Sequence, residues 1–140
     1  MVSNGASVVL RVGELGSKPG RPADLLRLNS EAAFFVAVDL DVDLEASPYS
    51  LCCDNLLGEI RYRWEECDPA HAIDVGLIAR GVERVCRPLS QQERDSVLAI
   101  AICRPGITDA EGRVTAVNLG WCQFPFEEKV AAALSKPVFV

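Results

Sequence analysis

The clearest pattern in the chain is an alternation of aliphatic and acidic residues between positions 36 and 45. One half of the pattern is Val36, Val38, Leu40, Val42 and Leu44, and the other half is Asp39, Asp41, Asp43 and Glu45. A period of two is that of a strand, whose successive side chains point to opposite faces. A helix would scatter these carboxylates around its circumference. The pattern therefore predicts a strand with a buried aliphatic face and an acidic face in water.

Other apolar segments predict the rest of a sheet. Residues 59–65 alternate in the same way, with Ile60, Tyr62 and Trp64 on one side and Glu59, Arg61, Arg63 and Glu65 on the other. Residues 96–103 are almost wholly apolar, which is typical of a strand in the middle of a sheet with no wet face. Residues 113–124 predict a strand antiparallel to it. Further strands are predicted at 7–12 and at 138–140, the last of them at an edge.

The segments that predict helices are short. Pro22 suits the first position of a helix and predicts a short one over residues 23–28. Ser90 and Glu93 match a capping box, in which the serine caps the helix and the glutamate reaches back to it. Residues 127–135 predict a C-terminal helix, with acidic residues in its first turn. The sequence therefore predicts two or three short helices.

Residues 73–85 allow more than one interpretation. Gly76 and Gly81 weaken a helical reading, so we interpret the segment as two short strands that meet near Gly81. The predicted fold is then mainly β (α+β), a small antiparallel barrel or sandwich with two or three short helices. A length of 140 residues fits a single β-rich domain over residues 1–140.

Charge and composition narrow the function. The net charge is -6 and the basic residues are scattered, so the surface would repel a phosphate backbone or an anionic membrane. The N-terminus lacks the pattern of a secretory signal, and no apolar run reaches the roughly 20 residues that span a bilayer. We expect a cytoplasmic protein without direct nucleic-acid or membrane partners.

The acidic row offers two interpretations. Asp39, Asp41 and Asp43 carry oxygen ligands of the kind that Mg²⁺ or Ca²⁺ prefers, which would suit a small divalent-metal-dependent hydrolase. Residues two apart on a strand are separated by roughly 6.5–7 Å, so neighbours could share an ion only through bending or water. We favour the second interpretation, a charge-pair face in which the acids lie near Arg61 and Arg63 of a neighbouring strand.

The cysteines and the only histidine form the other candidate metal set. Cys52, Cys53, Cys67 and His71 supply four soft ligands within twenty positions. On an extended segment, however, the adjacent Cys52 and Cys53 point to opposite faces. We expect core thiols here, with most of the six cysteines reduced and buried, including Cys103 at the end of its apolar run. We expect no metal and no cofactor.

Catalytic signatures are missing from the sequence. Any Cys–His or Ser–His chemistry must use His71, which lies in a predicted surface loop. The chain contains no Gly-x-Ser-x-Gly elbow, no Gly-x-x-x-x-Gly-Lys phosphate loop and no Gly-x-Gly-x-x-Gly. An enzyme that uses only carboxylates needs no such motif. We predict no catalytic residues.

An aromatic segment is the best candidate for contact with another protein. Trp121, Phe124 and Phe126 put three rings within six residues, and aromatic side chains carry much of the energy at interfaces. Rings also fill cores, and one or two of the three are expected there. Pro125 keeps the segment out of the middle of a sheet. We expect at least one ring to be available for protein binding.

Several stretches resemble the FliW family of flagellar assembly factors. The sequence AFFVAVD (33–39), with Tyr49 ten residues later, is similar to an apolar strand of that family. The stretches SVLAIAI (96–102), TAVNL (115–119) and KPVFV (136–140) are similar to its later strands. The resemblance implies a small β-barrel that binds partner proteins and has no catalytic activity.

The function predicted from the sequence is a non-catalytic protein-binding module that acts as an assembly factor, chaperone or structural subunit. Its partner would be another protein or a second copy of the chain. Two alternatives remain: the divalent-metal-dependent hydrolase that uses Asp39, Asp41 and Asp43, and a virion or phage structural component.

Overall fold

The computed structural model describes residues 7–15, 23–40, 49–66 and 73–140. The strands within these ranges are β1 (Val9–Leu15), β2 (Ala23–Leu28), β3 (Phe34–Asp39), β4 (Tyr49–Asn55), β5 (Ile60–Glu66), β6 (Val97–Cys103), β7 (Ile107–Thr108), β8 (Val114–Ala116), β9 (Trp121–Phe124) and β10 (Val138–Phe139). The helices are α1 (Val75–Cys86), α2 (Gln91–Asp95) and α3 (Phe126–Ala133), with 3-10 turns at Ser30–Ala32 and Val117–Leu119. The predicted class, mainly β (α+β) with two or three short helices, is confirmed. No helix in the described ranges is both long and apolar enough to cross a membrane.

The largest sheet has five strands in the order β10-β6-β3-β4-β5. Neighbouring strands from β3 to β5 are antiparallel, as expected of hairpins, but β6 runs parallel to both β3 and β10. The sheet is therefore mixed rather than purely antiparallel, because β4, β5 and α1 form a crossover between β3 and β6. Its outer strands β5 and β10 do not pair with each other, so these strands form an open sheet, not a closed barrel.

The core lies on one face of this sheet. Along β3, burial alternates with the period of two that the sequence predicted, and Val36, Val38 and Leu40 are buried while Asp39 is exposed. The predicted strand is thus confirmed to Asp39, and its remainder at 41–45 lies outside the described residues. Helices α1 and α3 cover the buried face, and Phe126 and Val130 of α3 join the same core.

The opposite face of the sheet carries exposed apolar side chains. Leu98 of β6 is 53% exposed and Phe35 of β3 is 37% exposed. The prediction that residues 96–103 have no wet face is therefore wrong, although β6 does lie inside the strand order. Cys103 is exposed for the same reason, and so is not the core thiol that was expected.

Helix α1 replaces the two short strands predicted at 73–85, so that prediction was wrong. The side chain of Asp74 caps the helix by accepting a hydrogen bond from the Leu77 backbone amide at 2.6 Å. Leu77, Ile78, Gly81 and Val85 are buried, with the spacing of one helical face. The glycine at position 81 does not break the helix; it lies where the helix approaches the sheet most closely.

Two other segments differ from the prediction. Residues 23–28 form β2, paired antiparallel with β1, instead of a helix. A helix of six residues is marginal on its own, whereas pairing with β1 satisfies the backbone of both segments. Residues 113–124 form β8 and β9 of a separate three-stranded sheet with β7, because Gly120, at φ +69°, ends a 3-10 turn between them.

The remaining local predictions are confirmed. Both hydrogen bonds of the capping box between Ser90 and Glu93 are present at the start of α2. Helix α3 covers most of the predicted 127–135, the segment 59–65 forms β5, and β10 is the edge strand predicted at 138–140.

Candidate functional site

Strands β1 and β2 form a separate two-stranded ribbon that is exposed on both faces. All six residues of β2 are exposed, and the large apolar side chains in water on the ribbon are Val9, Val12, Leu25, Leu26 and Leu28. Leu26, at 61% exposure, and Leu28 share one face, and Leu25 lies on the other. A two-stranded hairpin is marginally stable alone in water, and apolar residues clustered on a surface mark interaction sites.

The ribbon is held in shape by polar contacts. Arg11 forms an ion pair with Glu14 of the same strand and another with Asp24 of β2 at 2.6 Å. At the base of the ribbon, the Asn29 backbone amide donates to the carbonyl of Val8 at 2.8 Å. Exposed ion pairs stabilise by about 0–1 kcal/mol each, so these contacts do not replace an apolar partner.

The predicted aromatic site is mostly core. The Trp121 ring stacks on Phe124 with 5.1 Å between centroids and lies 4.9 Å from the Phe126 ring. Trp121 and Phe126 are buried, whereas Phe124 is half-buried, with Lys129 Nζ 5.8 Å from its ring. Phe126 starts α3 and is thereby directed into the core under the sheet. Of the three residues predicted to bind protein, only Phe124 keeps a surface that a partner could touch.

The carboxyl ends of the parallel strands β3 and β6 meet at one edge of the large sheet. Asp39 pairs in register with Cys103, and both side chains are exposed. The next residue, Arg104, donates from Nη2 to Thr108 Oγ1 at 2.5 Å, while its buried Nε has no hydrogen-bond partner among the described residues. Ligands of sheets with parallel strands commonly bind outside the carboxyl ends of those strands, so this edge is a second candidate site.

The predicted charge-pair face is not formed as expected. Strand β4 lies between β3 and β5, so Arg61 and Arg63 are not on a strand next to Asp39. Arg61 pairs instead with Glu31 at 2.6 Å, and Arg63 pairs with Glu65 at 3.3 Å. The two successive hairpins explain the difference, because β3 pairs with β4 and β4 in turn pairs with β5. Asp41 and Asp43 lie outside the described residues.

Cys52 and Cys53, the two cysteines of the candidate metal set that the structure describes, both have a raised thiol pKa. Burial raises the pKa of the Cys53 thiol to about 12. Burial, followed by the nearby Asp54 carboxylate, raises the pKa of Cys52. The two side chains lie on opposite faces of β4, Cys53 in the core and Cys52 half-buried. Cys67 and His71 lie outside the described residues. In the ranges that are described, no three metal-ligating side chains come together.

The sequence interpretation missed the apolar ribbon altogether. A helix over 23–28 would have buried some of its leucines, so Leu25, Leu26 and Leu28 were not predicted to form an exposed apolar surface. The available signal was the pair of apolar segments, 8–12 and 23–28, on either side of a Gly- and Pro-containing stretch, which is typical of a hairpin.

No family model matches the chain, and no curated protein matches it. The resemblance to the FliW family therefore stays a prediction. Among solved structures, the chain is similar to a ROK family glucokinase from Streptomyces griseus in complex with glucose and AMPPNP, with a TM-score of 0.55 and 21% identity. The match covers 77% of this chain and 32% of the glucokinase chain. The chain thus shares the fold of about a third of that protein.

Proposed function

We propose that the chain is a non-catalytic protein-binding module that docks to its partner through the β1–β2 ribbon. The observation that carries the proposal is the exposure of Val9, Leu26 and Leu28 on one face of a ribbon that has no core of its own. An assembly factor, chaperone or structural subunit would present such a surface. Its apolar side chains become buried only when a partner covers them.

The partner is a protein with an apolar face rimmed by charges. The ribbon carries Arg11, Glu14 and Asp24 beside its apolar residues, and a mixed rim of this kind suits a protein surface. A lipid surface would require the charges of Glu14 and Asp24 to approach anionic headgroups in a chain whose net charge is already -6. The partner is either another protein or a second copy of this chain.

The sequence after β3 supports a non-catalytic function. Many sites that hold nucleotide phosphates use glycine-rich loops, whose backbone amides approach the phosphate oxygens. Residues 41–48 contain no glycine and contribute three carboxylates, from Asp41, Asp43 and Glu45, which would repel a phosphate. The divalent-metal-dependent hydrolase would need Asp39, Asp41 and Asp43 to converge on one ion, and it remains the catalytic alternative.

The first proposal is tested by association of the full chain. Leu26→Ser should abolish capture of the partner in a pull-down, or self-association in analytical ultracentrifugation. Ile107→Ser is the matched control, because Ile107 is 78% exposed and lies outside the ribbon. Equal loss of association in both variants, or a wild-type chain that stays monomeric and captures nothing, would contradict the proposal.

A second candidate function is binding of a sugar at the edge formed by β3 and β6. The fold similarity to a glucokinase that holds glucose favours it, and Arg104 and Thr108 offer hydrogen-bonding groups at that edge. Titration calorimetry with glucose and with AMPPNP separates the possibilities. Glucose binding that Thr108→Val weakens would support this second function, and binding of AMPPNP would instead favour a kinase-like activity.

A further inference from the structure

A cavity outside these sites is lined by arginines. It has a volume of about 530 Å³ and lies between helices α1 and α2, and the residues that line it are Arg80, Glu83, Arg84, Arg87 and Arg94. Four of the chain's eleven arginines thus face one cavity, and among the described residues its lining contains a single carboxylate. The volume falls within the roughly 300–1,000 Å³ range of small-molecule sites.

Two of these arginines are held in place by the protein. The guanidinium of Arg84 lies over the Trp64 ring, 4.9 Å from its centroid. Arg94 donates from Nε to the carbonyl of Leu89 at 3.0 Å and from Nη2 to that of Arg87 at 2.7 Å. The capping box that starts α2 fixes the turn on which Arg94 stands. Their charged groups are therefore ordered before any ligand arrives.

The other two arginines have no side-chain partner among the residues that the structure describes. Within the described part of the chain, the side chains of Arg80 and Arg87 make no hydrogen bond and no ion pair, and none of the four arginines is in a salt bridge. Four positive charges around one cavity repel one another, and an anion would relieve that repulsion. Guanidinium groups bind phosphate and carboxylate oxygens through paired hydrogen bonds.

We propose that this cavity binds a small ligand that carries two or three linked phosphate groups. Several guanidiniums at the rim of one cavity match a run of adjacent negative charges better than a single carboxylate. A nucleic-acid backbone fits less well, because the rest of this surface has a net negative charge and duplex binding requires an extended basic stripe. This inference is independent of the function proposed for the ribbon.

The probe for this site is inorganic triphosphate, measured by titration calorimetry on the full chain. We expect one triphosphate per chain, with an affinity that falls as salt is added. The double variant Arg80→Gln/Arg87→Gln should weaken binding by about tenfold or more. The control Arg27→Gln/Arg113→Gln removes two exposed arginines elsewhere and should bind as the wild type does. No heat with millimolar triphosphate, or an equal loss in the control, would overturn the proposal.

A second measurement uses only the wild-type chain, so it does not depend on the folding of the variants. Bound triphosphate should protect Arg80 and Arg87 from phenylglyoxal modification, as seen by mass spectrometry, and should leave Arg27 reactive. A short DNA duplex provides the competing source of phosphates. Tighter binding of the duplex than of triphosphate, with protection of the same arginines, would show that nucleic acid is the preferred ligand and would overturn the proposal.

Discussion

Gly81 of helix α1 lies directly against the Trp64 ring of β5. A Cβ atom at position 81 would come within 2.8 Å of Trp64 Cζ3 and 2.9 Å of Leu51 Cδ1. The glycine therefore allows the helix backbone to approach the sheet more closely than any other residue would. This contact brings α1 onto β4 and β5, and it also positions the exposed face of α1 that carries the arginines.

Gly81→Ala should destabilise the protein. Overpacking a tight core contact costs about 1–3 kcal/mol, and the gain in helix propensity from alanine offsets up to about 1 kcal/mol of that. Urea unfolding should show a net loss. Gly76→Ala in the same helix gives the comparison, because the nearest atom to its new methyl group is Asp74 Oδ1 at 3.2 Å, the atom that caps the helix, and no core side chain comes closer. Gly76→Ala should cost less than Gly81→Ala, and a loss as large as that of Gly81→Ala would contradict the packing argument.

Trp121→Ala should lower the free energy of unfolding. The ring is 8% exposed and packs against both Phe124 and Phe126, so its removal should cost about 3–5 kcal/mol. Phe124→Ala removes a half-buried ring and should cost less, about 1–2 kcal/mol. Chemical denaturation of both variants gives the comparison. A Trp121→Ala protein that keeps wild-type stability but no longer binds its partner would show that this ring contacts the partner and is not part of the core.

Alkaline pH should weaken the fold through Cys53. Burial raises the pKa of this thiol from the ordinary 9.0 to about 12 in the folded protein. Above pH 9.0 the unfolded chain therefore loses a proton that the folded chain keeps, and stability falls as the pH rises toward about 12. Between about pH 8 and about pH 10 we expect this thiol alone to account for a loss of about 1 kcal/mol.

The measurement is urea unfolding at both pH values. Cys53→Ala should reduce the difference between them, whereas Cys122→Ala, which removes an exposed thiol, should leave the difference unchanged. Iodoacetamide should label Cys103 and Cys122 in the folded chain and reach Cys53 only on unfolding. Rapid labelling of Cys53 under native conditions would show that this thiol is not buried as described.

Sequence reasoning succeeded where the signal was local. The alternation through Val36, Val38 and Leu40 identified β3, because burial on one face of a strand imposes a period of two. The capping box of Ser90 and Glu93 was equally visible, since both of its hydrogen bonds lie within four residues. Neither feature depends on how distant segments pair.

Sequence reasoning failed where contacts between distant segments determine the secondary structure. Gly81 was taken as a helix breaker, but its partners Trp64 and Leu51 come from other elements. Residues 23–28 form a strand only because β1 pairs with them, and this pairing creates the exposed ribbon. The arginines of the cavity, at positions 80, 84 and 87, have the spacing of one helical face, which became recognisable only once α1 was known to be a helix.

Asn55 is the buried polar residue that joins β4 to the turn after it, and it is fully hydrogen-bonded. Its Nδ2 donates to Glu59 Oε2 at 2.8 Å and to Glu31 Oε1 at 3.1 Å. Its Oδ1 accepts from the backbone amides of Leu57 at 3.0 Å and Glu59 at 3.1 Å. A side-chain amide is required here because its NH₂ group faces two carboxylates and its oxygen faces two backbone N–H groups.

Asn55→Asp should therefore be strongly destabilising although it barely changes the shape of the side chain. It removes the Nδ2 donor and places a carboxylate between those of Glu31 and Glu59, at a cost of about 2–4 kcal/mol near neutral pH. Asn55→Ala leaves the backbone amides unpaired but adds no charge, so it should cost about 1–3 kcal/mol.

Acidic pH distinguishes charge repulsion from a simple loss of hydrogen bonds. Like charges raise the pKa of the introduced carboxyl in the folded state above its value in the unfolded chain, so the folded chain takes up the proton first as the pH falls. The excess cost of Asn55→Asp over Asn55→Ala should therefore shrink as the pH falls toward about 4, because a protonated carboxyl can again donate to Glu31 or Glu59. Urea unfolding of both variants across this range measures the difference. An excess that stays constant with pH would contradict the explanation by repulsion between carboxylates, because both variants lose the Nδ2 donor and only Asn55→Asp adds a charge.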